Sequence, residues 1–243
     1  QYVRQLLSSI PLDILLLILR SVPEPSHILT LLVNKINGLQ NPNFLLGPSA
    51  EPDPRFMRHV DLATELRKAG VMQWVDDPRK EVEFDVLISG YAPEYSQTVR
   101  EYIALLGLPL PADESKDIVL PVYFAVKGRE LGGIGISTRS TSDLIEILRA
   151  AIEIPQEHNR TGLAVNYPPM GLAGKDILIR SSKDKPKTAS LAVKYRGYWF
   201  YIEETDQPTK LFFRSLRLFW SISIASSADP RTAAPVLTIP VSN

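Results

Sequence analysis

Residues 191–202 read LAVKYRGYWFYI, and this stretch decides the fold class. Two runs rich in β-branched and aromatic residues meet at Arg196-Gly197, which is typical of two short strands joined by a two-residue turn. Because side chains alternate along a strand, such a hairpin has two distinct faces. Its predicted pairs are Tyr195 with Tyr198, Val193 with Phe200 and Leu191 with Ile202 on one face, and Lys194 with Trp199 and Ala192 with Tyr201 on the other. The hairpin therefore predicts an antiparallel sheet.

A helix is predicted directly after the hairpin. Asp206 can cap it, and apolar residues between 207 and about 224 cover most of its circumference, so we expect it to be largely buried. The acidic turn at 203–206 is short, which should fold the helix back over the strands. The hairpin residues expected to be buried against this helix are Val193, Tyr195, Tyr198 and Phe200.

Strand and helix patterns alternate through the rest of the C-terminal two thirds. Strands are predicted at 82–88, 118–126, 134–138, 177–180 and 236–241. Helical spacing is found over 95–106. It is also found in a second stretch, which Ser140, Thr141 or Ser142 can cap. Pro121 indicates an edge strand or a bulge, because proline cannot donate to a ladder. This order predicts an α+β fold with a mainly antiparallel sheet and helices packed on it.

The first third of the chain shows helical spacing instead. Helices are predicted over 12–19, over 26–36 with an end at Gly38, and over 54–69. A linker rich in Pro, Asn and Gly lies at 41–54. The periodicity changes from helical to alternating near Lys80. We therefore expect a helical N-terminal lobe over residues 1–75 and an α+β domain over 76–243.

Composition excludes several classes of site and partner. The 243 residues contain 27 Lys+Arg and 27 Asp+Glu, so the net charge gives no reason to expect nucleic acid or an anionic membrane, and it leaves self-association open. The absence of cysteine excludes disulfides, thiol nucleophiles and thiolate metal sites. The apolar run at 10–19 is about half the ~20 residues that span a bilayer.

No catalytic, metal or cofactor site is predicted. The three histidines, His27, His59 and His158, lie far apart and lack the spacing of a metal-binding motif. Ser182 and Lys185 have the spacing of a serine–lysine pair, but they lie in a charged, proline-containing turn and not at the start of a buried helix. The glycines at 132–135 precede a strand, so a tight turn explains them better than a phosphate cradle. An enzyme is the less favoured interpretation.

The aromatic hairpin is the best candidate for a binding surface. Rings flanked by cations can form a platform for a sugar, a base or a peptide. The candidate binding residues are Lys194, Arg196, Trp199 and Tyr201. The competing interpretation is that a helix or the N-terminal lobe covers these side chains as part of the core.

Several stretches resemble an uncharacterised family of bacterial envelope proteins. They are AVKYRGYWFYI at 192–202, PVLTIPV at 235–241, RQLL at 4–7, IPL at 10–12, INGL at 36–39, STRS at 137–140 and IEIL at 145–148. Members of that family look like exported proteins, often with a lipoprotein-type start. The resemblance implies a periplasmic or envelope location and an anchor or export signal upstream of this chain, with the cytoplasm as the alternative. It implies no activity and no ligand.

The function expected from these observations is a non-catalytic interaction or scaffolding module of the bacterial cell envelope, with a protein as partner. The alternative is a hydrolase-type enzyme or a small-ligand-binding protein whose site is assembled from residues distant in sequence. A pocket that joins Asp, Glu or His side chains of perturbed pKa would favour that alternative.

Overall fold

The structure is a computed structural model that describes residues 8–41, 53–76, 84–90, 92–110, 117–125, 132–166 and 176–225. Within these ranges the helices are α1 (Leu12–Ser21), α2 (Ser26–Leu32), α3 (Pro54–Lys68), α4 (Ser96–Leu105), α5 (Thr141–Ala150), α6 (Gln156–Arg160) and α7 (Gln207–Ala225), with a 3₁₀ turn at Pro93–Tyr95. The strands are β1 (Val33–Ile36), β2 (Leu39–Gln40), β3 (Met72–Asp76), β4 (Phe84–Ile88), β5 (Ile118–Phe124), β6 (Ile134–Thr138), β7 (Arg180–Ser182), β8 (Leu191–Tyr195) and β9 (Tyr198–Ile202). The predicted α+β class is confirmed.

Two sheets organise the described strands. The larger has six strands in the order β2-β1-β6-β5-β4-β3, and every neighbouring pair in it is antiparallel except β5 with β6. The smaller sheet is antiparallel, with the order β7-β9-β8. The sheets are therefore mainly antiparallel, as predicted.

The main core lies between the six-stranded sheet and the first four helices. Apolar side chains of α1 to α4 meet alternate residues of the strands there, in keeping with the two-residue period of a sheet. Examples that line one shared internal space are Leu19, Leu29, Ala63, Val86 and Ile136. The predicted strand at 236–241 and most of the predicted linker at 41–54 lie outside the described residues.

One predicted helix is partly wrong. The helix expected over 26–36 ends at Leu32, and residues 33–36 form β1. The reason is the turn Asn37-Gly38, whose φ values of 42° and 90° place both residues in the left-handed region that two-residue hairpin turns require. β1 also pairs with β6, so a strand from the first third enters the same sheet as the later strands. The division at residue 75 stays a prediction.

The interpretation of Pro121 as a sign of an edge or a bulge is wrong for the strand as a whole, although Pro121 itself pairs with β4 and not with β6. β5 lies inside the sheet, with Pro121 opposite Asp85 of β4 in unbroken register. The pairing of β5 with β6 begins only at Val122, one residue after the proline. Gly133 packs against Pro121 just before β6, where an added Cβ would lie 2.2 Å from the proline carbonyl oxygen. Gly133 thus allows close contact between two strands.

Asn37 joins three parts of the fold through its side chain. Its Nδ2 donates to the carbonyl oxygens of Leu106 and Gly133, both at 2.9 Å. Its Oδ1 accepts from the backbone N–H of Gly135 at 2.6 Å. One amide therefore connects the β1–β2 turn to the end of α4 and to β6.

Replacing Asn37 by alanine is expected to lower the free energy of unfolding by about 2 kcal/mol, because three partly buried backbone groups lose their partner. Denaturant unfolding monitored by circular dichroism measures the loss. Thr64→Ala is the control, since that hydroxyl bonds only within its own helix. Equal stability of Asn37→Ala and the parent protein would contradict the proposed connecting role.

Candidate functional site

The three-stranded sheet carries the candidate site, and its predicted register is confirmed. All five predicted pairs of β8 and β9 are present, from Leu191 with Ile202 to Tyr195 with Tyr198. The turn residues Arg196 and Gly197 have φ values of 48° and 85°, as a two-residue hairpin turn demands. In such a hairpin the two residues beside the turn form a hydrogen-bonded pair, and the bonding alternates from there. The backbone groups of Ala192 and Lys194 therefore point away from β9.

One edge of this sheet is attached to the body of the protein, and the other has no partner among the described strands. On the β7 side, Ile179 donates to the carbonyl oxygen of Ala151 at 2.9 Å and accepts from the N–H of Glu153 at 2.8 Å. The Glu153 carboxylate also accepts from the N–H of Ser181 at 2.8 Å. On the β8 side, no described strand pairs with the outer edge. β8 thus presents unpaired backbone groups within the described part of the chain.

The β8 side chains on one face are apolar and exposed. Leu191, Val193 and Tyr195 are 47%, 56% and 58% exposed. Beside them lies a groove of about 220 Å³, which we call the apolar groove. Its lining consists of Ile152, Ile179, Leu191, Val193, Phe200, Tyr201, Ile202 and Phe213. A more polar cleft of about 360 Å³ adjoins it and shares Leu191, Ile202 and Phe213.

The prediction that this face is buried against the last helix is wrong. Val193 and Tyr195 are exposed, and Tyr198 and Phe200 are only half-buried. The helix itself has the expected bounds, and Asp206 caps it by accepting from the N–H of Thr209 at 3.0 Å.

The helix leaves the hairpin face open because it packs elsewhere. α7 contacts α5, and its buried side chains Phe212 and Phe219 join the main core. The expectation that this helix is largely buried is also wrong, since Leu211, Leu218 and Trp220 are exposed. The short acidic turn therefore directs the buried side of α7 to the body of the protein, while Phe213 lines the apolar groove beside the hairpin.

The opposite face of the small sheet holds three of the four predicted binding residues. Lys194 Nζ lies 5.9 Å from the centroid of the Trp199 ring, and Tyr201 follows on the same face opposite Ala192. The fourth, Arg196, lies in the turn with its guanidinium 5.4 Å from the centroid of the Tyr195 ring. Sequence reasoning missed Lys185, whose Nζ lies 5.6 Å from the same Trp199 ring. The lysines at 183, 185 and 187 were the available signal.

The serine–lysine spacing at 182–185 does not correspond to a catalytic pair. The Ser182 hydroxyl donates to the carbonyl oxygen of Asp184 at 2.5 Å, within the turn that follows β7. Lys185 is placed over the Trp199 ring. The solvated turn expected from the sequence explains both residues.

The described histidines are not gathered into one site. His59 is buried in α3 and stacks on Tyr102 at 4.8 Å between ring centroids, and burial lowers the pKa of His59 to about 4. His158 makes an edge contact with Tyr198 at 4.9 Å. Burial also lowers the pKa of His27, and this effect is larger than the increase caused by the negative charge of Asp176. Within the described ranges no group of three or more His, Asp or Glu side chains could hold a metal ion.

A buried arginine also has a shifted pKa. Arg139 is fully buried after β6, and this burial lowers its pKa to about 10 against the raising effect of Asp143. Its backbone accepts from the N–H of Ile10 at 2.8 Å and donates to the carbonyl oxygen of Leu32 at 2.7 Å. Asp143 in turn forms the capping box of α5 with Ser140, one of the three predicted caps. These contacts explain Arg139 and Asp143 as parts of the fold.

Comparison with protein-family models, with curated proteins and with solved structures found no match. Of the helices in the described ranges, none combines the length and the apolar character needed to cross a bilayer. The geometry of the small sheet is therefore the main guide to function.

Proposed function

We propose that the protein is a non-catalytic interaction module of the bacterial cell envelope, and that it binds an extended polypeptide segment along β8. The observation that carries this proposal is the open edge of β8 beside the apolar groove. Resemblance to envelope proteins supports the location. His59 and Arg139, whose pKa values are lowered, are buried as parts of the fold, and this supports a binding role over catalysis.

The chemistry of this edge suits strand addition. An extended chain can bond the N–H and C=O groups of Ala192 and Lys194, which point away from β9. Every second side chain of the added strand then lies on the side of the apolar groove. Leu191 and Val193 would become covered by these side chains, which removes exposed apolar surface from water.

The shape of the space favours an extended ligand over a compact one. Pockets for drug-sized molecules usually enclose roughly 300–1,000 Å³. The apolar groove, at about 220 Å³, is below that range, and the adjoining cleft, at about 360 Å³, is near its lower end. The two follow β8 in succession, since the groove contacts Val193 and the cleft contacts Ser190. A continuous path of this kind suits a peptide.

Selection from a random nonapeptide phage library on the purified protein tests the proposal. We expect enriched peptides to carry apolar residues at alternate positions. Synthetic versions should bind Leu191→Asp at least about tenfold more weakly, because a carboxylate would be desolvated in the groove. Val119→Asp, which changes a similarly exposed apolar residue of β5, should bind normally.

Two outcomes would count against this function. One is that the library yields no enriched sequence. The other is that selected peptides bind Leu191→Asp and the parent protein equally while both variants keep the parent melting temperature.

A further inference from the structure

Cations lie close to aromatic rings on both faces of the small sheet. Lys185 and Lys194 both place an ammonium group within 6 Å of the centroid of the Trp199 ring. Lys183 lies 5.8 Å from the centroid of the Tyr198 ring, and Arg196 lies 5.4 Å from that of Tyr195. We call Lys183, Lys185, Lys194 and Arg196 the cationic cluster.

This cluster has an excess of positive charge although the whole chain is neutral. Between residues 180 and 196 there are six Lys or Arg and one acidic residue, Asp184. Of the six, Arg180 is neutralised by Glu203 at 2.8 Å. No salt bridge involving the cationic cluster occurs among the described residues. Like charges held together in this way create a positive local potential that attracts anions.

The hairpin tip exposes apolar and cationic side chains together. Val193 and Tyr195 are exposed on the groove face, while Lys194 and Trp199 lie on the opposite face and Arg196 lies in the turn. In membrane proteins, the boundary between lipid head groups and hydrocarbon is rich in Lys and Arg together with Trp and Tyr. A tip immersed in that boundary can use both faces at once, whereas an acidic protein surface would contact one face.

We propose that the tip of the β8–β9 hairpin docks on the surface of an anionic phospholipid bilayer. The ammonium groups of Lys185 and Lys194 contact lipid phosphates, and the rings of Tyr195 and Trp199 lie at the level of the head groups. Single-stranded nucleic acid fits less well. Bases stack on bare ring faces, and two ammonium groups already occupy the surroundings of Trp199.

Co-sedimentation with vesicles tests this proposal. The full chain is mixed with vesicles of phosphatidylglycerol and phosphatidylcholine in equal amounts, or with phosphatidylcholine alone. We expect binding to the anionic vesicles only, weakened by raising NaCl from about 0.1 to 0.5 M. Lys185→Glu/Lys194→Glu should reduce the partition coefficient at least about tenfold, since each cation near an anionic surface contributes roughly a factor of five.

A control with the same change in charge makes the result specific. Lys68→Glu/Arg217→Glu alters two exposed cations on α3 and α7, outside the hairpin. It should bind anionic vesicles nearly as well as the parent protein. Leu191→Asp, which impairs the proposed peptide site, should also keep vesicle binding, so failure of the two proposals can be told apart. Melting curves of each variant confirm that it is folded.

Fluorescence places the hairpin tip on the membrane directly. In a Trp220→Phe background, Trp199 is the only tryptophan that is not buried, since Trp74 is 5% exposed. Brominated phosphatidylglycerol should quench its emission.

Four outcomes would overturn the proposal. Two concern the vesicles: the protein fails to bind anionic vesicles, or it binds phosphatidylcholine vesicles equally well. The other two are that charge reversal at the hairpin has no specific effect, and that the emission of Trp199 is not quenched. If the protein bound oligothymidylate through Lys185 and Lys194 and did not bind vesicles, the hairpin tip would be a nucleic-acid-binding surface instead.

Discussion

Phe212→Ala is expected to lower the free energy of unfolding by about 3–5 kcal/mol, the usual cost of removing a fully buried phenylalanine. Phe212 has no exposed surface and belongs to the main core, to which it fastens α7. Its loss leaves a cavity in this core. Guanidinium unfolding followed by circular dichroism measures the change.

Two phenylalanines serve as matched controls for Phe212. Phe213 is the next residue of α7 and is half-buried, and Phe200 is half-buried on the groove face of the hairpin. Each alanine variant should lose only about 1–2 kcal/mol, because much of the ring is in contact with water before the change. A loss at Phe200 as large as that at Phe212 would show that the hairpin face belongs to the core and is not open.

Acidification from pH 6.5 to 4 is expected to destabilise the protein by up to about 3 kcal/mol through His59. Burial lowers the pKa of this imidazole from 6.5 to about 4 in the folded protein. Between these two values the unfolded chain binds a proton that the folded protein does not. The contribution to stability is therefore complete above pH 6.5 and is lost as the pH falls towards 4.

His59→Leu isolates this effect. The variant keeps an apolar side chain beside Tyr102 and has no group that titrates in this range. Its free energy of unfolding should change less between pH 7 and pH 4.5 than that of the parent protein, by about 2–3 kcal/mol. His27→Gln provides the comparison with a less buried histidine. An identical pH dependence of His59→Leu and the parent protein would contradict this account.

Local sequence signals predicted individual elements well. The Arg196-Gly197 turn and the alternation on both sides of it determine every pair in the hairpin. The helix caps also depend on nearby residues. Asp206 caps α7 and Ser140 caps α5, as expected. Each of these features depends on residues within a few positions of one another, which is the range over which side-chain spacing and turn chemistry act.

The packing between elements was not predictable in the same way. The apolar circumference of α7 was compatible with burial against the hairpin or against the body of the protein, and only the three-dimensional structure distinguishes them. The apolar groove is formed by side chains as far apart as Ile152 and Phe213. The cationic cluster could not be predicted from the composition, because the net charge of the whole chain is zero. Lys185 lies close to Trp199 because of the fold, and no sequence spacing indicates this contact.

The central claim is that the outer edge of β8 is open and available to a partner. Amide hydrogen exchange of the purified chain, measured residue by residue by nuclear magnetic resonance, tests it most directly. The amides of Val193 and Tyr195 should exchange slowly, since they bond to β9, whereas those of Ala192 and Lys194 should exchange at rates close to those of an unstructured peptide. Slow exchange at Ala192 and Lys194 would contradict the claim. If that protection faded on dilution, a second copy would be covering the edge, and if it persisted, another segment of this chain would be.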